Sequence, residues 1–363
     1  MDAPPLVIVA PRLPPRACGI GTYAWQLHRH WPAPHGQERF LVFADADATR
    51  ENLPDTSVAQ FPASARGLAE ALERAQNADV LLHYAGRAYH RFGFPRWMPE
   101  AFATWRKRDD RRRLHVIFHE LPADLPLLSK QGILQRFSFP VARALAEQAS
   151  SLVTNSAHHA SVLNRWSLRC PVEWLPVPSN IAAPDDLAMR APQRRPGEFA
   201  IFGLPYTRLQ TVRTFRDWLT RWKQSGRLSR LHLIGPRDAK FTPEADAMIA
   251  SALPPDSVVD HGELDPAAVS NLLFESEFCL SISNDLTWSK SGTLMAYAEH
   301  ACAVVIAQPC ANEPLQFTIS AADVAGATGS GASEKGERLR QWYLAHATWR
   351  IVAKRIAEIV GRS

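Results

Sequence analysis

The sequence is short of cysteine, of long apolar runs and of any dominant charge. Its five cysteines, Cys18, Cys170, Cys279, Cys302 and Cys310, are scattered, odd in number and without metal-type spacing. That pattern argues against a disulfide framework and against zinc, and it points to a reducing compartment. No apolar run approaches the roughly 20 residues of a membrane span. The stretch at 6–10 is too short for a signal core and reads as a first buried strand. Net charge is only +5, so the chain is not read as a nucleic-acid binder. The charge is uneven in one place, where Arg106, Lys107, Arg108, Arg111, Arg112 and Arg113 surround two aspartates. A solvated turn explains that cluster most simply; attraction to an anionic lipid surface or an anionic substrate is the sharper reading.

What is present fits a globular α/β protein. At 363 residues, 46% hydrophobic and 21% charged, the chain has room for two domains of ordinary size. Strands are expected at 6–10, 40–44, 80–84, 115–120, 152–155 and 172–176, with helices from about 19 to 30 and at 65–77, 97–106 and 141–148. Between 176 and 196 the chain turns proline-rich and loses its apolar periodicity, as a linker does. A second alternating series follows, with strands at 199–203, 231–235, 258–261 and 278–282 and helices at 211–225, 243–253 and 266–274. The tail from 334 to 360 reads as largely helical, with Trp342, Trp349, Val352 and Ile356 as its buried stripe. Repeated strand–helix–strand order implies parallel sheets covered on both faces, with ligands beyond the C-terminal strand ends. No tandem repeat is evident.

The stretch from Trp288 to Ala307 organises the second half. A polar turn at 289–293 leads into a helix at 294–300, and a strand at 303–306 follows almost at once. Ser291, Gly292 and Thr293 sit where a helix leaves backbone N–H groups unpaired, which favours a phosphate. Lys290 places a mobile cation beside them. A well-capped helix with nothing bound is the plainer reading of this turn alone.

Taken in order, several motifs resemble the retaining, glycogen-synthase-like (family 4-like) group of GT-B glycosyltransferases. Residues 14–24, with Cys18-Gly19-Ile20-Gly21-Thr22, resemble the group's first loop and helix. Val153-Thr154-Asn155-Ser156 resembles a first-lobe strand ending in serine. Leu233-Ile234-Gly235, Gly262-Glu263-Leu264, Leu272-Leu273 and Cys279-Leu280-Ser281 follow the succession toward the donor site. His300-Ala301-Cys302-Ala303-Val304-Val305 resembles the His-Gly-Cys-Pro-Val-Val ending of the donor helix. The resemblance spans nearly the whole chain and rests on the order of the motifs.

It implies two Rossmann-like, doubly wound domains facing a cleft: 1–177 on the acceptor side, a linker at 178–198, a donor-binding domain at 199–340, and a helix at 341–363 that crosses back to the first. It implies transfer of a sugar, with retention, from a nucleotide-diphosphate sugar to an acceptor the sequence does not name. Gly203, Arg208, Lys290, Ser291, Gly292 and Thr293 then bind the donor, while Arg16, Gly19, Gly21, Thr22 and Glu120 lie on the acceptor side. His119 matches the first-lobe histidine near the donor sugar; a histidine merely hydrogen-bonded at a strand end is the alternative. Glu120 reads first as a plain surface carboxylate and only second as an acceptor ligand. No metal or other cofactor is expected, and the setting is cytoplasmic, with peripheral contact at the inner face of a membrane as an option.

The sequence also departs from the group. Members carry two glutamates roughly two helical turns apart on the donor helix. Counting back from His300 places them at Trp288 and Ala296; counting from Gly292 gives Ser289 and Tyr297. Neither register supplies a carboxylate, and Asp285 and Glu299 are out of step. The usual basic pair after Phe202-Gly203 is reduced to Arg208, because Leu204 takes the first place. These losses leave open a degenerate, non-catalytic scaffold. An NAD(P)-dependent oxidoreductase is a weaker rival, since Gly19-Ile-Gly21 with Asp45 or Asp47 mimics the dinucleotide fingerprint but follows a proline-rich loop. Asp45-Ala-Asp47 also mimics a metal-binding pair and is discounted as one.

Overall fold

A computed structural model of the chain describes residues 6–14, 18–32, 39–43, 57–75, 78–121, 130–166, 168–184, 194–327 and 329–361. The chain divides into two compact units, Met1–Leu175 with Trp349–Ser363, and Pro176–Thr348.

The first unit runs β1 (Leu6–Ala10), α1 (Gly19–Arg29), β2 (Arg39–Phe43), β3 (Ser57–Phe61), α2 (Ala65–Glu73), β4 (Asp79–Tyr84), α3 (Gly86–Tyr89), α4 (Trp97–Arg106), β5 (Leu114–Phe118), α5 (Lys130–Gln148), β6 (Ser151–Thr154), α6 (Ala157–Asn164) and β7 (Val172–Trp174). Its strands pair in parallel in the order β3-β2-β1-β4-β5-β6-β7. β1, β4, β5 and β6 are buried along their whole length, which explains why they read as apolar runs without alternation. The edge strand β3 is exposed at every position but Phe61. Its sequence therefore carries no core signal, and it was not expected as a strand.

The second unit runs β8 (Arg195–Phe202), α7 (Pro205–Gln224), β9 (Arg230–Ile234), α8 (Thr242–Ala252), β10 (Val258–Gly262), α9 (Pro266–Glu275), β11 (Ser276–Ser281), α10 (Gly292–Glu299), β12 (Ala303–Ile306), β13 (Ile319–Ser320) and α11 (Gly329–His346). Its sheet is also parallel, in the order β10-β9-β8-β11-β12-β13. The expected α/β class, two Rossmann-like doubly wound halves, is the one observed. Arg194 stitches this unit at the N-terminal edge of the sheet. Its guanidinium donates to the carbonyls of Leu273, Ser276, His300 and Ala301. Those carbonyls close α9 and α10, where helices leave acceptors unpaired and favour a cation.

The tail differs from the expected single helical stretch. It breaks after α11, and α12 (Trp349–Gly361) begins a separate helix. Trp342, on α11, packs edge-on against Trp288 in the second unit at 5.3 Å between ring centroids. Trp349, Val352, Ile356 and Ile359 are the buried face of α12, which groups with the first unit. Residues 177–184 are bound to the second unit, through Val177 N–H to the Ser289 carbonyl and the Ser179 N–H to the Tyr343 hydroxyl.

Ala301, where the resembling motif has glycine, is the only described non-glycine residue at positive φ, +50°. The turn from α10 to β12 needs that conformation and the side chain bears its cost.

Candidate functional site

In the second unit three strands end at glycines laddered by backbone bonds. Gly203 N–H donates to the Ile234 carbonyl, and Gly235 N–H to the Gly262 carbonyl. Gly203 has φ +146°, and a Cβ on Gly235 would lie 2.1 Å from the Gly203 oxygen. Only glycine allows this backbone-on-backbone approach. A Cβ on Gly203 would meet Thr207 Cγ2 at 3.1 Å and Thr293 Oγ1 at 3.3 Å. The first turns of α7 and α10 therefore converge on Gly203, at the C-terminal edge of the sheet where such folds bind ligands.

Ser291 caps α10, its hydroxyl accepting from Leu294 N–H at 3.1 Å. Ser291, Gly292 and Thr293 are partly exposed, and Lys290 just before them is exposed. A Cβ added at Gly292 would meet nothing within 4 Å. The predicted turn thus exists as a helix start with open space over its glycine.

Arg208 is placed otherwise than expected. Its guanidinium is buried, donates to the Pro236 carbonyl and lies 3.5 Å from Asp260, which also pairs with Arg237. Burial pulls its pKa below the usual arginine range, with Asp260 opposing. Its charge is already offset, so it ties α7 to the ends of β9 and β10 and is not a loose cation.

Both glutamate registers lead into the core. Trp288, Ser289, Ala296 and Tyr297 are all buried, and the Tyr297 hydroxyl accepts from Phe202 N–H at 2.8 Å. Glu299 faces elsewhere: it accepts from the Tyr343 hydroxyl at 3.0 Å, and burial raises its pKa. Asp285 is exposed and takes bonds from Cys310 and Asn312, the first of which leads in lowering its pKa.

In the first unit His119 follows β5 and is nearly buried, its Nε2 3.0 Å from Nδ1 of His83 on β4. The pleat explains the meeting. His83 is paired with Ile117, and His119 is the next residue on that face, so the two rings are diagonal neighbours. Tyr23 of α1 stands edge-on to His119 at 4.9 Å and to Trp349 of α12 at 5.0 Å. The Tyr23 hydroxyl is buried beside Asn155 without hydrogen-bond geometry to any described group, and burial raises its pKa. His83 is fully buried, which holds its pKa well below the usual histidine range. Sequence reading missed His83; a histidine inside an otherwise apolar strand was its signal.

The remaining acceptor-side expectations separate. A Cβ on Gly21 would lie 2.0 Å from the Arg12 carbonyl, so this glycine lets α1 pack on the loop after β1. Gly19 faces open space. Thr22 is partly buried in the first turn of α1, its N–H on the Cys18 carbonyl. Glu120 is exposed. Arg16, Asp45 and Asp47 lie outside the described residues. In the basic cluster, Arg112 and Arg108 pair with Glu73, Arg111 with Asp109, and Arg106 donates to the Gln148 carbonyl. Four of the six basic residues of that cluster are thus engaged by neighbouring groups.

Among the described residues no group of His, Cys, Asp or Glu could hold a metal ion, and no helix is long and apolar enough to cross a membrane. A cavity of about 430 Å³ beside Arg194 lies at the opposite edge of the second sheet. Its guanidinium is committed to the four carbonyls named above.

No protein-family model matches the chain, and no curated protein sequence does either. Solved structures share its fold. Sucrose-phosphate synthase from Thermosynechococcus elongatus superposes with a TM-score of 0.68 at 15% identity, covering 99% of each chain. Anabaena HepE in complex with UDP and glucose gives 0.68 at 13%, covering 99% of this chain and 100% of that one. The trehalose-6-phosphate synthase OtsA gives 0.63 at 10%, covering 99% of each. The likeness runs the length of all three and bears out the GT-B fold.

Proposed function

We propose that the protein is a glycosyltransferase that takes its sugar from a nucleotide-diphosphate sugar held at the C-terminal edge of the second unit. The observation that carries this reading is the convergence of two helix starts on Gly203, with Thr293 Oγ1 beside it and open space over Gly292. Backbone N–H groups and the positive ends of α7 and α10 suit a diphosphate, and they stabilise the charge that develops as it leaves. Lys290 adds exposed positive charge, and Arg208 serves by holding the strand ends in place. His119 is assigned to the reacting substrate from the first unit, with Gly19 and Thr22 nearest the acceptor; transfer proceeds with retention. Structures of similar fold bind UDP, which makes UDP the first probe.

Calorimetric titration of UDP tests the donor site. Gly292→Val puts bulk into open space and so leaves the fold intact. It is expected to weaken UDP binding about 10- to 100-fold, the worth of one charge-assisted contact. Parental affinity in that variant would place the donor elsewhere.

A non-catalytic scaffold of the same fold is the second reading, favoured by the burial of Trp288 and Ala296 where the resembling group carries carboxylates. Donor hydrolysis separates the two: the enzyme releases sugar from a nucleotide-sugar slowly without acceptor, and the scaffold does not. A cytoplasmic setting accompanies the enzyme reading. Contact with anionic lipid through residues 106–113 is tested by co-sedimentation with phosphatidylserine vesicles, which salt should abolish.

A further inference from the structure

We propose that His83 is a positioning residue that fixes His119 as a neutral imidazole with its proton on Nδ1, a hydrogen-bond donor rather than a proton acceptor. The proposal rests on the glycosyltransferase reading for its consequence but not for its geometry. One proton lies between His83 Nδ1 and His119 Nε2, 3.0 Å apart. Two arrangements are open. If His119 gives the proton, His83 must carry its own on Nε2. If His83 gives it, His83 Nε2 is a bare lone pair and His119 is protonated on Nδ1.

The surroundings of His83 choose between them. Its Nε2 is buried and no described group meets it within hydrogen-bond reach. Ile8 of β1 and Ile117 of β5 are buried around it, and the Tyr23 ring stands 5.8 Å away. A buried N–H without an acceptor is rarer and costlier than a buried acceptor without a donor. The proton therefore sits on His83 Nδ1 and is donated to His119 Nε2. A second proton cannot enter the shared bond without breaking it, and burial already disfavours the charged form of His83. His119 is left with Nδ1–H, the less populated tautomer of a free histidine side chain. Donated to a substrate oxygen that gains negative charge, such a bond needs no proton transfer and no reorganisation.

Long-range 1H–15N spectra of the full chain labelled in histidine read the tautomers directly. The two rings are assigned by loss of signal in His83→Asn and His119→Asn. The expected result is protonated Nδ1 and bare Nε2 in both rings, and His119 shifting toward Nε2–H in His83→Phe. Nε2–H on His119 in the parent, or fast exchange between tautomers, overturns the proposal. A kinetic arm follows: His83→Phe should lower kcat about 10- to 100-fold with UDP affinity unchanged. His83→Asn, which keeps a polar atom at the Nδ1 position, should restore most of it. Equal losses in the two variants also overturn the positioning role. The spectra need no substrate, so their failure leaves the donor site untouched, and a failed UDP titration leaves the tautomer standing.

Discussion

Each unit carries a pair of histidines on adjacent strands or strand ends within hydrogen-bond distance, and a third residue makes them different. In the second unit His232 of β9 has its Nδ1 2.9 Å from His261 Nε2 on β10. Its other nitrogen lies 3.1 Å from the carboxylate of Glu198 on β8. Register explains the carboxylate: His232 is paired with Ala200, so Glu198 is its diagonal neighbour on one face, while His261 sits at the irregularity where the β9–β10 register shifts. In the first unit the position corresponding to Glu198 is Ile8 on β1, two residues before Ala10 and buried. The carboxylate takes the N–H of His232, which leaves its Nδ1 to accept from His261. Both nitrogens of His232 are thereby committed, and burial still keeps its pKa below the usual range. Isoleucine in that place offers His83 no carboxylate, and under the proposal the shared proton is donated from His83 toward His119.

The same contrast runs through the two strand edges. The second unit offers helix starts, hydroxyls and a cation, which suit a dianion. The first offers aromatic and imidazole groups, which the proposed function assigns to the reacting substrate. Variants that act on one edge alone are the means to break this division.

The largest effect is expected from His119→Ala, which should cut turnover on the order of 100-fold, as loss of a transition-state donor does, with UDP affinity held within about threefold. Steady-state kinetics beside calorimetry check it, and unchanged turnover returns His119 to a strand-end histidine. Lys290→Ala should weaken UDP binding about tenfold and flatten its salt dependence, measured by titration across ionic strength. His232→Asn should leave turnover alone and lower stability by about 1–2 kcal/mol in urea unfolding, since it strands part of the Glu198 bonding. A fall in turnover there would erase the difference between the pairs. The smallest change is Ala301→Gly, which relieves the residue at positive φ and should add about 0.5–1 kcal/mol without moving UDP affinity.

Much of this architecture can be read along the chain, because parallel strands buried on both faces leave apolar runs such as Leu6–Ala10 and Ala303–Ile306. The turn before α10 was equally plain: serine cap, glycine and helix formers fall in sequence. Other features depend on partners far away in the chain. α7 begins at Pro205, earlier than its apolar stripe announces, since a proline can open a helix where its missing N–H has no cost. α5 runs through Pro140, which reads locally as a start or a break. The split between α11 and α12 follows which unit each tryptophan packs in, and the helical pattern along the sequence is itself unbroken. The commitment of Arg208 to Asp260 is set by where α7 packs on the sheet, and the meeting of His83 with His119 by strand register; periodicity along one element contains neither.

One crossed titration bears most directly on the account. UDP is titrated calorimetrically into the parent chain, Gly292→Val and His119→Ala, each first shown to unfold cooperatively. The account predicts saturable binding in the parent, binding weakened about 10- to 100-fold in Gly292→Val, and parental affinity in His119→Ala. Equal affinity in the parent and Gly292→Val, or a loss confined to His119→Ala, would contradict it.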